Sequence, residues 1–214
     1  MVINFLGDSI TEGAGAGSPE NMYVNLVGQK LGAAVNNYGV GGTRIARQTT
    51  PTDPPRADED FLIRAAKMDK NADFVFVFGG TNDFGHGDAP LGKFGDKTPY
   101  TFYGAAALLC EYLLGIYRKD RLCFILPLHR TDENSIYGDG RKKQPSATLA
   151  EYINALLQVL SYYGVGYMDI RDKFPPQKLS ELTADGLHPN AKGNQIIADS
   201  VCDHLKNHLN IKEK

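Results

Sequence analysis

Five short runs rich in strand-forming residues are spread along the chain, and none of them alternates regularly between polar and apolar positions. Unalternating runs of this length are typical of strands that are covered on both faces. The pattern therefore predicts a buried sheet of about five strands. The runs are residues 2–6, 34–38, 74–78, 122–126 and 167–169.

Apolar residues between these runs recur at three- and four-residue steps, which is the spacing of one face of an α-helix. One such series lies within residues 149–163 and another within residues 197–205. Residues 102–117 are apolar enough to form a largely buried helix. Asn190 is a suitable N-cap for the last helix, which we expect at residues 191–209.

Strands that alternate with helices require crossover connections, and these produce a mostly parallel sheet with helices on both faces. We therefore expect an α/β fold, a three-layer α/β/α sandwich. The length of 214 residues suits a single domain, residues 1–214. In such sheets the ligand site lies beyond the carboxyl ends of the strands.

Three loops are longer than a simple connection requires, at residues 43–56, 84–101 and 128–145. We expect each to follow an inner strand and to border the ligand site. The polar tail, residues 210–214, is expected to be frayed. The sequence leaves open whether the ring-bearing side chains of these loops line the site or pack the loops onto the protein body. These side chains are Phe84, His86, Phe94, Tyr100 and Tyr137.

The charge is nearly balanced, with 23 basic and 25 acidic residues and a net charge of −2. This balance excludes the strong positive field that nucleic acid or an anionic membrane would select, so we expect a small-molecule partner. No apolar run approaches the roughly 20 residues that a membrane span needs, and the first strand begins at Val2. We therefore expect a cytoplasmic protein. The three cysteines lack metal-ligand spacing and are predicted to be buried thiols.

Ser9 directly follows the first predicted strand. A serine hydroxyl becomes an effective nucleophile only when a base takes its proton, and a carboxylate improves that base by fixing its tautomer. On this segment alone, Ser9 could equally be the cap of a following helix.

Asp185 and His188 lie three residues apart in a turn that Pro189 closes. One turn of chain lets the carboxylate meet the nearer ring nitrogen, which leaves the other nitrogen free to face Ser9. Taken alone, each is an ordinary turn or surface residue. Together with Ser9 they supply the parts of a hydrolytic triad.

Two glycine-rich segments, residues 37–43 and 79–83, follow the second and third predicted strands. Glycine lets backbone N–H groups approach a ligand closely. Two or three donors about 3 Å from a developing oxyanion would stabilise it. The structural alternatives are a tight turn at Gly41 and Gly42 and an Asx turn at Asn82.

Four sequence blocks resemble those of the SGNH hydrolases, also called GDSL-type esterases and lipases. They are GDSIT at residues 7–11, GVGG at 39–42, GGTND at 79–83 and DGLHP at 185–189. The blocks occur in the family's order and span nearly the entire chain. The resemblance implies a flavodoxin-like SGNH hydrolase fold and a carboxylic ester hydrolase that requires no cofactor and no metal.

The resemblance further implies that Ser9 is the nucleophile, that His188 is the general base and later the acid, and that Asp185 orients His188. The implied oxyanion hole consists of the backbone N–H groups of Ser9 and Gly42 and the side-chain amide of Asn82. The sequence leaves the substrate open, since short-chain acyl esters, acetyl esters on a carbohydrate, thioesters and lysophospholipids all fit. We expect a small acyl or acetyl group because no apolar lid helix is evident.

Other interpretations remain as competitors. Gly41 could replace Gly42 as the oxyanion donor. A non-catalytic carbohydrate-binding or scaffold protein could retain the same fold, as could a flavodoxin-like binding domain. Residues 87–94 nearly match a phosphate-binding loop, but Phe94 stands where a hydroxyl is required. His204 and His208 have helical spacing without a third metal ligand.

Overall fold

The computed structural model describes the backbone of residues 1–209 and the side chains up to residue 207, so the tail expected to be frayed, 210–214, lies outside the described residues. Five parallel strands form one sheet in the order β2-β1-β3-β4-β5. This sheet confirms the predicted α/β fold. The strands are β1 (Val2–Gly7), β2 (Ala34–Gly39), β3 (Phe74–Phe78), β4 (Leu122–Ile125) and β5 (Gly166–Met168).

Helices lie between and after the strands. Four of them have four or five residues and one has nine, whereas the three longest, at residues 102–114, 149–163 and 191–209, match the three helices predicted from the apolar spacing. The helices are α1 (Ser9–Glu12), α2 (Tyr23–Leu31), α3 (Phe61–Ala65), α4 (Thr81–Gly85), α5 (Phe102–Leu114), α6 (Leu149–Tyr163), α7 (Leu179–Leu182) and α8 (Ala191–Leu209). Single 3₁₀ turns occupy Pro19–Asn21, Pro55–Asp58, Lys119–Arg121, Arg171–Lys173 and Pro176–Lys178.

Caps define the ends of the long helices. The predicted N-cap of α8 is confirmed, because the Oδ1 atom of Asn190 accepts the N–H groups of Lys192 at 3.0 Å and Gly193 at 3.1 Å. Helix α6 begins with a capping box between Thr148 and Glu151. Such reciprocal bonds satisfy N–H groups that have no partner inside the helix.

Apolar cores cover both faces of the sheet. In β3, Phe74, Phe76 and Phe78 pack into the core with α2 and α8, whereas Val75 and Val77 belong to the core with α3, α5 and α6. All five of these residues are buried. Because both faces are apolar, the strand shows no polar alternation, as the sequence pattern indicated.

The position of β2 corrects one expectation. The loop at residues 43–56 was expected to follow an inner strand, but β2 is an edge strand. The chain leaves the centre of the sheet after β1, adds β2 on one side, and crosses to the other side for β3. Open α/β sheets bind their ligands at such a reversal, beyond the carboxyl ends of the strands, which in this sheet are β1 and β3.

The three cysteines, Cys110, Cys123 and Cys202, are free and buried, as predicted. Among residues 1–209, no helix combines the length and the apolar character needed to cross a bilayer.

Candidate active site

Ser9 is the first residue of α1, immediately beyond the end of β1. The sequence left open that Ser9 caps a following helix, but the cap is Asp8, whose Oδ1 atom accepts the Ile10 N–H at 3.0 Å. The hydroxyl of Ser9 is therefore free for another partner. The Thr11 hydroxyl lies 2.8 Å from the Tyr23 hydroxyl and attaches this short helix to α2.

Asp185 organises the turn that carries His188. Its Oδ1 atom accepts the backbone N–H groups of Leu187 at 3.0 Å and His188 at 2.8 Å, while its Oδ2 atom lies 2.7 Å from His188 Nδ1. Partial burial raises the pKa of Asp185, but the hydrogen bonds from His188 and Leu187 outweigh burial and bring the pKa below its ordinary value. One carboxylate thus fixes both the backbone and the ring of His188.

The two ends of the chain meet at this point, because Ser9 Oγ lies 2.9 Å from His188 Nε2. A Cβ atom at Gly15 would lie 2.8 Å from the His188 carbonyl oxygen and 2.7 Å from that of Pro189. Only glycine permits this close packing of the segment after α1 against the histidine turn. With Nδ1 bonded to the carboxylate, Nε2 can accept the hydroxyl proton.

In the glycine loop after β2, one backbone N–H donates a hydrogen bond, and the next has no acceptor among the described residues. The N–H of Gly41 donates to Glu12 Oε2 at 2.8 Å. Within the described residues, the backbone N–H groups of Gly42 and Ser9 have no acceptor. Gly42 has a φ of 78°, a left-handed conformation that favours glycine.

Asn82 lies in α4, just after β3. Its side-chain amide donates one hydrogen bond, to the Thr43 carbonyl oxygen at 3.0 Å. An amide nitrogen carries two hydrogens, so a second donor remains. Residues from the ends of β1, β2 and β3 therefore supply N–H groups at one edge of the sheet.

Arg64 holds these loops together, a role that no sequence motif indicated. Its guanidinium donates to the carbonyl oxygens of Gly7 and Tyr38 and to the Thr43 hydroxyl, at 2.8, 2.5 and 2.7 Å. Burial lowers the pKa of Arg64 to about 10 even though Asp8 raises it. The ends of β1 and β2 are thus tied to the loop that contains Gly42.

Two buried carboxyl groups, those of Asp8 and Asp83, hold backbone segments next to the site. Burial raises the pKa of Asp8 to about 6, although the Ile10 N–H and the Arg64 charge lower it. Burial likewise raises the pKa of Asp83 to about 6, against hydrogen bonds from the N–H groups of Ala46 and Ile45. Both carboxyl groups accept backbone N–H groups and so fix the course of the chain.

The ring-bearing residues of the long loops divide between the two interpretations left open by the sequence. Phe84 is fully buried beneath the Arg130 guanidinium, which lies 5.1 Å from the ring centroid, and so packs its loop onto the core. His86 lines a cavity. The three others are about half exposed, and they are Phe94, Tyr100 and Tyr137.

The weaker motifs of the sequence are the pair His204 and His208 and the segment 87–94. Within the described side chains, no group of three or more His, Cys, Asp or Glu residues could hold a metal ion. His204 packs edge-on against Phe76 at 5.9 Å between ring centroids, while the side chain of His208 lies outside the described residues. Residues 87–94 form no helix that could close a phosphate-binding loop.

Solved structures share this architecture. A protein from Lactobacillus plantarum superposes with a TM-score of 0.79 at 27% sequence identity, and the match covers 96% of each chain. A lipase/acylhydrolase from Enterococcus faecalis has a TM-score of 0.67 at 22% identity over 100% of this chain and 99% of that one. An acetyl xylan esterase has a TM-score of 0.63 at 20% identity over 96% of this chain and 100% of that one.

The sequence itself is similar to one family. No curated protein was found that matches the chain. The model of the GDSL-like Lipase/Acylhydrolase family, however, matches residues 5–196, which include Ser9, Asn82, Asp185 and His188. The chain therefore belongs to the GDSL-like lipase/acylhydrolase family.

Proposed function

We propose that the protein is a serine esterase that hydrolyses carboxylic esters through an acyl-enzyme on Ser9. The observation that carries this proposal is the chain of contacts from Ser9 Oγ to His188 Nε2 at 2.9 Å and from His188 Nδ1 to Asp185 Oδ2 at 2.7 Å. Nucleophile, base and orienting carboxylate are then in direct contact.

In the first half of the reaction, His188 takes the Ser9 proton as Oγ attacks the ester carbonyl carbon. The tetrahedral intermediate collapses to the acyl-enzyme, and His188 gives the proton to the departing alcohol. In the second half, His188 takes a proton from water, the resulting hydroxide attacks the acyl carbon, and Ser9 recovers its proton as the carboxylic acid leaves. Asp185 stays ionised throughout, which its lowered pKa supports.

The proposed oxyanion hole consists of the Ser9 N–H, the Gly42 N–H and the Asn82 amide. Gly42 is preferred to Gly41 because the Gly41 N–H already donates to Glu12. Arg56 pairs with Glu12 at 2.5 Å. We assign Glu12 a positioning role, because its bond to Gly41 holds the loop so that the next N–H can face the ester oxygen.

The proposed substrates are short-chain acyl or acetyl esters, including acetyl esters on a carbohydrate. The fold shared with an acetyl xylan esterase supports the second group. The mechanism uses only side chains and backbone N–H groups, so the proposed reaction requires no cofactor. We propose that residues 1–214 act as one domain, and the cytoplasmic location stays a prediction.

Hydrolysis of 4-nitrophenyl acetate by the wild type and by Ser9→Ala tests the proposal against a non-catalytic carbohydrate-binding or scaffold role. The wild type should show turnover that the variant lacks, while Ser161→Ala, an exposed serine of α6, should match the wild type. Equal rates in the wild type and Ser9→Ala, with both proteins folded, would show that Ser9 is not the nucleophile.

A further inference from the structure

A cavity of about 730 Å³ lies between the long loops of the molecule. Its walls come from three segments, within residues 44–53, 86–91 and 141–147, and they include neither Ser9 nor His188. The first wall begins two residues after Gly42, and the second begins four residues after Asn82. The cavity therefore adjoins the loops that carry the proposed oxyanion donors.

The cavity walls carry more positive than negative side chains. Asp53 and Asp88 are the two acidic residues, against four basic ones. The Asp88 carboxylate stays ionised, but its oxygens already accept the backbone and hydroxyl groups of Thr49 and the N–H of Thr50 at 2.7 to 3.2 Å. The four basic residues are Arg44, Arg141, Lys142 and Lys143.

Arg44 is a buried cation with too few acceptors. Its side chain is 3% exposed, and its terminal nitrogens donate to the Gly42 carbonyl oxygen at 2.7 Å and the Thr52 hydroxyl at 2.6 Å. Its carboxylate partner, Asp58, lies at the longer distance of 3.4 Å. Among the described residues, the buried Nε–H has no hydrogen-bond partner. An unsatisfied donor on a buried charge is costly unless a further anion compensates it.

Lys142, unlike Arg44, has no carboxylate partner among the described side chains. Its ammonium donates to the Asp83 carbonyl oxygen at 2.8 Å and the Tyr152 hydroxyl at 3.1 Å, both of them neutral acceptors. No ion pair involving Lys142 is present among the described side chains. Burial lowers the pKa of Lys142 to about 8, although the charges of Asp83 and Asp139 raise it.

We propose that this cavity binds a carboxylate or phosphate group on the ester substrate, with Lys142 and Arg44 as the central cations and Arg141 and Lys143 at the rim. Oxyanions of this kind accept several charge-assisted hydrogen bonds at once. Arg44 also holds the Gly42 carbonyl oxygen, so an anion at Arg44 lies beside the loop that faces the ester. The inference rests on the proposed esterase function and adds that the preferred esters are anionic.

Calorimetric titration tests binding without any need for catalysis. Inorganic phosphate and succinate are titrated separately, at constant ionic strength, into the wild type, Lys142→Gln, Lys142→Arg and Arg141→Gln. Saturable binding of at least one anion should weaken roughly tenfold or more in Lys142→Gln and persist in Lys142→Arg. Arg141→Gln, which changes an exposed rim residue, should weaken binding less. The matched control is Lys30→Gln, because Lys30 pairs with Asp199 outside the cavity.

Wild-type protein that binds neither anion, or equal affinities in Lys142→Gln and Lys30→Gln, would overturn the site. Which anion binds more tightly identifies the group that the substrate carries.

Kinetics then test whether the anion belongs to the substrate. Lys142→Gln should raise the KM for mono-4-nitrophenyl succinate roughly tenfold and change the KM for neutral 4-nitrophenyl acetate much less, while the control Lys30→Gln should leave both values at the wild-type level. If Lys142→Gln weakens anion binding but does not change the KM for mono-4-nitrophenyl succinate, the substrate assignment is overturned. If neither ester is hydrolysed by the wild type, the esterase proposal fails, whereas the titration still decides whether the anion site exists.

Discussion

Among the described residues, three histidine–carboxylate pairs lie in the loops that follow the strands, and two of them differ in what the second ring nitrogen contacts. His188 Nδ1 lies 2.7 Å from Asp185, and His86 Nδ1 lies 3.0 Å from Asp139. His188 Nε2 lies 2.9 Å from the Ser9 hydroxyl. The outer nitrogen of His86 has no hydrogen-bond partner among the described residues.

A carboxylate partner alone does not bring a histidine into contact with a hydroxyl group. What distinguishes His188 is the backbone around it: Asp8 frees the Ser9 hydroxyl by capping α1, and Gly15 allows the histidine turn to pack against the segment after that helix. His86 instead lines the cationic cavity, where burial lowers its pKa despite the hydrogen bond with Asp139.

The largest expected effect comes from replacing each of the two histidines by asparagine. His188→Asn should reduce kcat for 4-nitrophenyl acetate by roughly 10⁴-fold or more, because Ser9 then lacks its base. His86→Asn should stay close to the wild-type rate. Steady-state kinetics on both variants decide the matter, and a large loss in His86→Asn with little loss in His188→Asn would reverse the assignment.

The next largest effect concerns Asn82, whose amide is the proposed side-chain donor to the oxyanion. Asn82→Ala should lower kcat by about 10²- to 10³-fold, the usual cost of losing one oxyanion donor. Asn71→Ala, in an exposed turn, is the control. Because Asn82 also bonds the Thr43 carbonyl oxygen, the melting temperature is measured in parallel. A near-normal rate in folded Asn82→Ala would remove this amide from the mechanism.

A smaller effect is expected at Glu12, which contacts Gly41 rather than the ester. Glu12→Ala should lower kcat by about tenfold with little change in KM, because the glycine loop loses one hydrogen bond. Glu12→Gln keeps an acceptor and should recover part of the rate. Glu59→Ala breaks a comparable exposed ion pair with Lys67 and serves as the control. Equal kcat values in Glu12→Ala and the wild type would exclude the positioning role.

The smallest expected effect is on the pH dependence of stability. It comes from two buried carboxyl groups, those of Asp8, beside Ser9, and Asp83, beside Asn82. Because the folded-state pKa of each lies at about 6, above the ordinary 3.8, the folded protein binds more protons between these values. Their contribution to stability is present at low pH and is lost as the pH rises through about 6.

Asp8→Asn keeps the oxygen that caps α1 and removes the titration. Between pH 5 and pH 7.5, its free energy of unfolding should fall about 1 kcal/mol less than that of the wild type. Urea unfolding at the two pH values measures the difference, and exposed Asp172→Asn is the control. Parallel pH dependence in Asp8→Asn and the wild type would show that Asp8 does not titrate in this range.

The sequence predicted the sheet and the long helices because their signals are local. The apolar runs of β1 and β3 and the capping residue Asn190 each act within a few positions. The sequence also predicted that Ser9 and His188 would approach each other, through the resemblance of short blocks, and the structure brings these two side chains into contact.

Other features could not be read from the sequence because they depend on distant contacts. The edge position of β2 follows from the path of the whole chain, and the role of Arg64 requires three acceptors from separate segments. The cation cluster likewise forms only when the segments carrying Arg44 and Lys142 pack together. No local sequence pattern predicts contacts between segments that lie so far apart in the chain.

Covalent trapping is the most direct test of the central claim that His188 activates Ser9. The wild type, His188→Asn and His86→Asn are treated with a fluorophosphonate, and tandem mass spectrometry locates the adduct. The account predicts one phosphonylated serine, Ser9, in the wild type and in His86→Asn, and very slow labelling in His188→Asn. An adduct on a different serine, or equally fast labelling of Ser9 without His188, would contradict it.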